Sequence, residues 1–285
     1  MELLLAIQIV CCLFTGQESY GNTSPVFIPS PISPSYQLVW SDEFNTDGEP
    51  DSSKWGFESG FKRNEEAQWY QKENATCEGG SLVITGKKER KPNPTHVAGS
   101  TDWRTKPAFI EYTSASVVMK KEHAFKYGKL EVRAKIDAQE GLWPAIWTLG
   151  LSGEWPSNGE VDVMEYYDGK ILANFAHANT GRWQAIWDGA SKTVEALGGK
   201  AWANQFHVWT MEWDEQTMNI LLDGELMNTI DLNTTVNKSD GKNPFQQPHY
   251  LLLNLAMGGN RGGSVENTVF PSKYYIDYVR IYQKM

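Results

Sequence analysis

Cysteine is scarce. Three occur in 285 residues, and two of them, Cys11 and Cys12, lie in an apolar N-terminal stretch. Cys77 stands alone in the rest of the chain, which excludes an internal disulfide framework there and leaves stability to the core. Basic charge is also short: 26 Lys and Arg face 35 Asp and Glu, a formal net charge of −9. A nucleic-acid binder needs basic surface to neutralise phosphates, so that class is excluded. Long helical periodicity is absent, and no apolar run is long enough to span a membrane. A phosphate-cradling glycine loop, zinc-ligand spacing and a serine-triad signature are missing as well. Neither a redox cofactor nor a catalytic metal is expected.

Residues 1–16 read as a signal-like segment, although Glu2 is their only charge and the usual basic start is missing. Ile9 and Val10 precede Cys11 and Cys12, so either cysteine is a candidate lipid anchor after cleavage; the simpler reading is a secretory signal. Both readings place the protein outside the cytoplasm, secreted or held at the cell surface, a periplasmic or outer-membrane lipoprotein included. Residues 17–36 are rich in Ser, Pro, Gly and Asn without periodic pattern and read as a linker. Residues 37–285 then form one domain, expected to be a monomer.

What is abundant is aromatic: twelve Trp, twelve Tyr and eleven Phe. They suit a large core, and equally a cleft that stacks on flat rings. Short runs of β-branched and aromatic residues recur between turn signals. They are Leu82–Thr85, Ser114–Met119, Gly128–Ile136, Trp143–Leu149, Val161–Tyr166, Leu172–Ala176, His207–Trp213, Met218–Leu222, Tyr250–Met257 and Tyr275–Tyr282. Asp223-Gly224 marks a tight hairpin turn. Many strands and few helices predict an all-β sandwich or barrel.

The run Asn158-Gly-Glu-Val-Asp-Val-Met-Glu-Tyr-Tyr-Asp168 carries the chemistry. Its apolar residues say strand, and a strand sends alternate side chains to opposite faces. Glu160 and Asp162 therefore share a face. Glu165 would point away on a regular strand, unless one extra residue at Val163-Met164 forms a β-bulge and restores it. The glutamate Cα atoms would then be about 13 Å apart. Side chains leaning together close that gap to the roughly 5–5.5 Å at which two carboxylates run a double displacement at a sugar carbon.

With these residues stand Leu38-Val-Trp-Ser-Asp-Glu-Phe44, Tyr127-Gly-Lys-Leu-Glu-Val-Arg133, Gly141-Leu-Trp-Pro-Ala-Ile-Trp-Thr-Leu149, Asn254-Leu-Ala-Met-Gly-Gly259 and Ile276-Asp-Tyr-Val-Arg-Ile-Tyr282. Together they make residues 37–285 resemble glycoside hydrolase family 16, in particular its laminarinase-like endo-β-glucanases. The resemblance implies a β-jelly-roll sandwich of two curved antiparallel sheets with an open concave cleft. It implies Glu160 as nucleophile, Glu165 as general acid/base and Asp162 as hydrogen-bond partner of the nucleophile. Trp143, Trp147 and Trp155 flank the motif and either stack on sugar or fill the core. The resemblance makes His177 a neighbour of the acid/base and Asn64 a loop contact to the sugar.

Two positions depart from the family pattern. Ser116 stands where laminarinases usually carry arginine, and Arg261 where they usually carry tryptophan. The departures leave room beside β-1,3-glucan for mixed-linkage β-1,3/1,4-glucan or a galactan, with Arg261 as a polar handle. The resemblance also implies a structural calcium, for which Glu43 and Asp277 are the candidate ligands. The expected activity is retaining endo-hydrolysis of a polysaccharide. The alternatives are an agarase- or porphyranase-like galactanase and a non-catalytic glucan-binding lectin on the same fold.

Overall fold

The structure, a computed structural model, describes residues 36–285. The segment 1–16 and all of the linker except Tyr36 lie outside the described residues, Cys11 and Cys12 with them. Tyr36, read from sequence as the last linker residue, opens the first strand.

Seventeen strands occur among the described residues: β1 (Tyr36–Asp42), β2 (Trp55–Phe57), β3 (Gln68–Tyr70), β4 (Ala75–Glu78), β5 (Ser81–Pro92), β6 (Phe109–Ser114), β7 (Ser116–Met119), β8 (Gly128–Lys135), β9 (Leu142–Gly150), β10 (Glu160–Tyr167), β11 (Lys170–Ala178), β12 (Ala185–Thr193), β13 (His207–Trp213), β14 (Thr217–Leu222), β15 (Glu225–Asp231), β16 (His249–Met257) and β17 (Ser272–Lys284). They make a sandwich. One sheet runs β12-β11-β10-β9-β16-β7-β2. The other runs β15-β14-β13-β8-β17-β5-β6-β3, with β1 added along β17 and β4 along β5. Pairing is antiparallel except between β3 and β6, which are parallel, a departure from the all-antiparallel expectation.

The pleat explains the layers. Along β8, Leu130, Val132 and Ala134 are buried while the intervening residues are half-exposed, the signature of a sheet with one wet face. From the facing sheet, Ile146, Val161, Val163, Met164 and Phe175 enter the same core. Burying each such side chain contributes roughly 1.5–3 kcal/mol. β9 is buried on both faces, because its second face carries a further apolar cluster of Ala145, Trp147 and Leu252. That second face belongs to the site below. Asp223 and Gly224 turn the β14–β15 hairpin with φ of +51° and +83°, as the sequence predicts for a two-residue turn.

All ten expected runs fall in strands, except at Ala115, between β6 and β7, and Ile136, just past β8. β12 escaped notice because its middle, Asp188-Gly-Ala-Ser191, is polar and lies on an edge with little to bury. Cys77 is a free, buried thiol whose pKa burial pushes up to about 11.

The two expected calcium ligands, Glu43 and Asp277, are each met by an arginine. Arg280 clamps Glu43 through two hydrogen bonds of 2.9 and 2.7 Å, and Arg133 takes Asp277. Each carboxylate is paired with its own arginine. Among the described residues no group of three or more His, Cys, Asp and Glu is placed to hold a metal ion.

Candidate active site

The bulge is present. On β11 the partner of Asp162 is Asn174 and the partner of Glu165 is Leu172, so three steps on β10 match two on its neighbour. On β9 the same carboxylates pair with Trp147 and Ala145. The extra residue returns Glu165 to the face of Glu160 and Asp162. Val161, Val163 and Met164 are left in the core.

Three cross-strand rows follow from the register. Glu160 stands between Ala176 and Leu149, Asp162 between Asn174 and Trp147, and Glu165 between Leu172 and Ala145. The Ala145 row continues through Asn254 to Ser116. The missing family arginine therefore leaves a serine on the same row as Glu165.

Each glutamate has its own indole donor. Trp155 donates to Oε2 of Glu160 at 2.5 Å, and Trp143 to Oε1 of Glu165 at 2.7 Å. The third tryptophan, Trp147, donates instead to Asn254 Oδ1 at 2.7 Å, and Asn254 donates on to the Tyr70 hydroxyl at 3.0 Å. Asn174, which sequence reasoning passed over, donates 3.1 Å bonds to both Asp162 Oδ2 and Glu165 Oε2. Its signal was available: Leu172, Asn174 and Ala176 alternate along one face of a strand.

The three carboxyls are all shifted upward. Burial is the largest cause for all three, and each feels at least one of the others. Asp162 is pushed well up, first by burial and then by the charges of Glu165 and Glu160, so it holds a proton and shares it with Glu160. Glu160 is raised by burial, against which the Trp155 N–H, the Asp162 bond and the Arg63 charge all pull down. Burial carries Glu165 up to about 7 despite the Trp143 bond, with Glu160 adding to the rise.

Arg63 was also missed. Its guanidinium lies 5.1 Å from the centroid of the Trp147 ring and pairs with Glu58, and Ser116 Oγ donates to the other Glu58 oxygen at 2.7 Å. A cation thus reaches this face from a loop, one carboxylate away from the serine that replaces the family arginine. Nothing in the local sequence marks it, since only tertiary packing brings this loop over β9.

Asn64 is exposed with φ +57°. Its carbonyl accepts the Asn260 N–H at 2.8 Å, docking its loop on the turn that carries Arg261. Arg261 is exposed, and its charge pulls the Glu165 pKa down, which places it on the Glu165 side of the site. His177 is not brought to the carboxylates. It stands three residues from Asn174 on an unbulged stretch, so it faces the other way, toward the backbone of Val236, and burial lowers its pKa.

Buried carboxyls on one face, one of them raised to about 7, are equipped for acid-assisted displacement at a sugar carbon. Residues 62–280 match the family description Glycosyl hydrolases family 16. The chain belongs to that family. A β-glucanase of Rhodothermus marinus is 32% identical to it over 88% of this chain and 86% of its own length. The laminarinase catalytic domain of Thermotoga maritima superposes with a TM-score of 0.73 at 32% identity, covering 88% of this chain and 99% of that one. A structure from work on endo-acting O-glycanases of human gut bacteria that initiate mucin breakdown superposes with a TM-score of 0.79 at 36% identity, covering 87% and 91%. Three other curated relatives are longer, and this chain spans 34%, 41% and 55% of them. As a family 16 member the protein is a glycoside hydrolase.

Proposed function

We propose that the protein is a retaining endo-β-glucanase acting on β-1,3-glucan or mixed-linkage β-1,3/1,4-glucan. The observation that carries the reading is the bulge that sets Glu160, Asp162 and Glu165 on one face, with burial carrying Glu165 up to about 7. Glu165, holding its proton near neutral pH, protonates the glycosidic oxygen. Glu160 attacks the anomeric carbon and forms the glycosyl-enzyme. Water resolves it, with Glu165 now taking a proton. Asp162 gives its proton to a hydrogen bond with Glu160, which keeps the nucleophile ionised as the leaving group departs. Trp155 and Trp143 orient the two glutamates by their ring N–H groups.

A second reading has an observation behind it. Ser116 and Arg261 replace two groups that laminarinases use to hold glucan, and the O-glycanase relative is 36% identical. An endo-acting cut within a galactose-containing chain, a mucin O-glycan or a galactan, fits those changes. The apolar segment 1–16 supports export, with Cys11 or Cys12 as an anchor. Digestion of laminarin, barley mixed-linkage glucan, agarose, carrageenan and gastric mucin, with product sizing, tests the reading. Short glucan oligosaccharides from laminarin or barley glucan are the expected result. Products from agarose, carrageenan or mucin alone overturn the glucanase reading in favour of the second.

A further inference from the structure

Two tryptophans outside the catalytic motif are open to solvent. Trp183 and Trp187 are each 52% exposed, on the β11–β12 hairpin and on β12 itself. The register says where one of them points. Trp187 pairs with Ala176, and Ala176 pairs with Glu160. Trp187 therefore stands on the nucleophile's row and face, two strand spacings away, roughly 10 Å. Its neighbours on that face are small: Ala176 beside it, and Gly189 two residues along β12. A Cβ at Gly189 would meet Asn174 Oδ1 at 2.6 Å. Small neighbours leave the face of the indole ring free.

The hairpin is tied to the nucleophile's own loop. Arg182 donates to Glu154 through Nε and Nη2 at 3.1 and 2.8 Å, and its guanidinium lies 4.8 Å from the Trp183 ring centroid. Glu154 is followed by Trp155, whose N–H reaches Glu160. Trp183 holds φ of +61°, a conformation bulky residues rarely take. Trp155 thus bonds Glu160, Trp187 shares its row, and Trp183 sits on the hairpin that Arg182 ties to Glu154.

We propose that Trp187, supported by Trp183, is a stacking platform for a sugar unit remote from the cleaved bond. The ligand is a β-linked pyranose chain, which presents flat apolar ring faces, and the occupant is the same polymer that Glu160 and Glu165 cut. The proposal rests on the glycosidase reading and extends it by a subsite at the β12 edge. It makes the enzyme prefer long chains to short ones.

Two measurements test it. In the first, Trp187→Ala and Trp187→Phe are assayed on the polymer that the wild type opens, using its long and short oligosaccharides. The ratio of kcat/KM on long to short substrates is expected to fall about tenfold in Trp187→Ala, through KM, given the usual strength of aromatic stacking. Trp187→Phe is expected to recover most of it. An equal change on both lengths, or none, overturns the platform. In the second, Glu160→Gln and Glu160→Gln/Trp187→Ala are run through native gels containing laminarin, barley glucan or mucin. Weaker retardation of the double variant supports the platform, and equal retardation overturns it. This readout needs no turnover. A wild type that cleaves nothing sinks the functional reading, while the gel still scores the platform by itself.

Discussion

Trp143 donates its indole N–H to Glu165 at 2.7 Å, from a strand directly beside the carboxylate's own. The bond favours the ionised carboxylate and so opposes the burial that carries Glu165 up to about 7. An acid must be protonated to act, so kcat/KM is expected to fall as pH rises through about 7. Trp143→Phe removes the donor and should move this basic limb to higher pH. A limb that stays in place, or moves down, shows that Trp143 does not tune the acid.

Stability carries the same sign. Glu165 has its folded pKa raised from 4.5 to about 7, so its contribution is fully present below pH 4.5 and is lost as pH climbs through 7. Glu165→Gln keeps the neutral form at every pH. It should raise the midpoint of thermal unfolding near pH 8, by a free energy of up to about 3 kcal/mol at 1.36 kcal/mol per pKa unit. The gain should vanish near pH 4. Thermal unfolding of both proteins at pH 4 and pH 8 measures it, and an equal gain at both would point to packing and not to charge.

Arg63 lowers the Glu160 pKa from its place over the Trp147 ring. The nucleophile must be ionised, so the acid limb of kcat/KM reports it. Arg63→Met should shift that limb to higher pH and cut activity at pH 5 more than at pH 7. Arg63→Lys should restore part of the shift. A fall that is uniform across pH would make Arg63 a purely structural residue.

The catalytic row was legible because strands have a strict period. Three carboxylates at uneven spacing among Val161, Val163 and Met164 admit one register that buries the apolar residues, and that register demands a bulge. By the same rule His177, three residues from Asn174, faces away from the carboxylates, although the resemblance implied it beside the acid/base. Arg63 and Trp187 were not legible. Arg63 reaches the site by a loop crossing two other strands' territory, and Trp187 belongs to an edge strand whose polar middle shows no alternation. Sequence likewise shows Glu43 and Asp277 near paired strands, but not the ion pairs they make with Arg280 and Arg133.

Glu160→Gln is nearly isosteric but cannot form the glycosyl-enzyme. Loss of a covalent nucleophile should cost on the order of 10³-fold or more in kcat. The fold should be intact, read from an unchanged near-ultraviolet spectrum. Proton NMR of the wild-type reaction on a β-linked substrate should show the β-anomer of the new reducing end first, since two displacements restore configuration. An initial α-anomer would falsify the double displacement.

The two glutamates can be told apart by a small anion. Glu165→Ala removes the proton donor and leaves Glu160 able to attack. An aryl β-glycoside with a good leaving group needs little protonation, so its first step should survive far better than that of the polysaccharide. The second step still lacks its base. Azide fits the space left by the carboxylate and needs no deprotonation, so it should attack the glycosyl-enzyme from the side of the missing Glu165 and give a β-glycosyl azide. In Glu160→Ala no glycosyl-enzyme forms. Azide there enters from the opposite side, where the nucleophile stood, while Glu165 still protonates the leaving oxygen, and the product should be the α-glycosyl azide. Rate rescue by azide and the anomeric configuration of each product, read by NMR, decide the assignment. If Glu165→Ala gives the α-azide and Glu160→Ala the β-azide, the roles of the two residues are reversed.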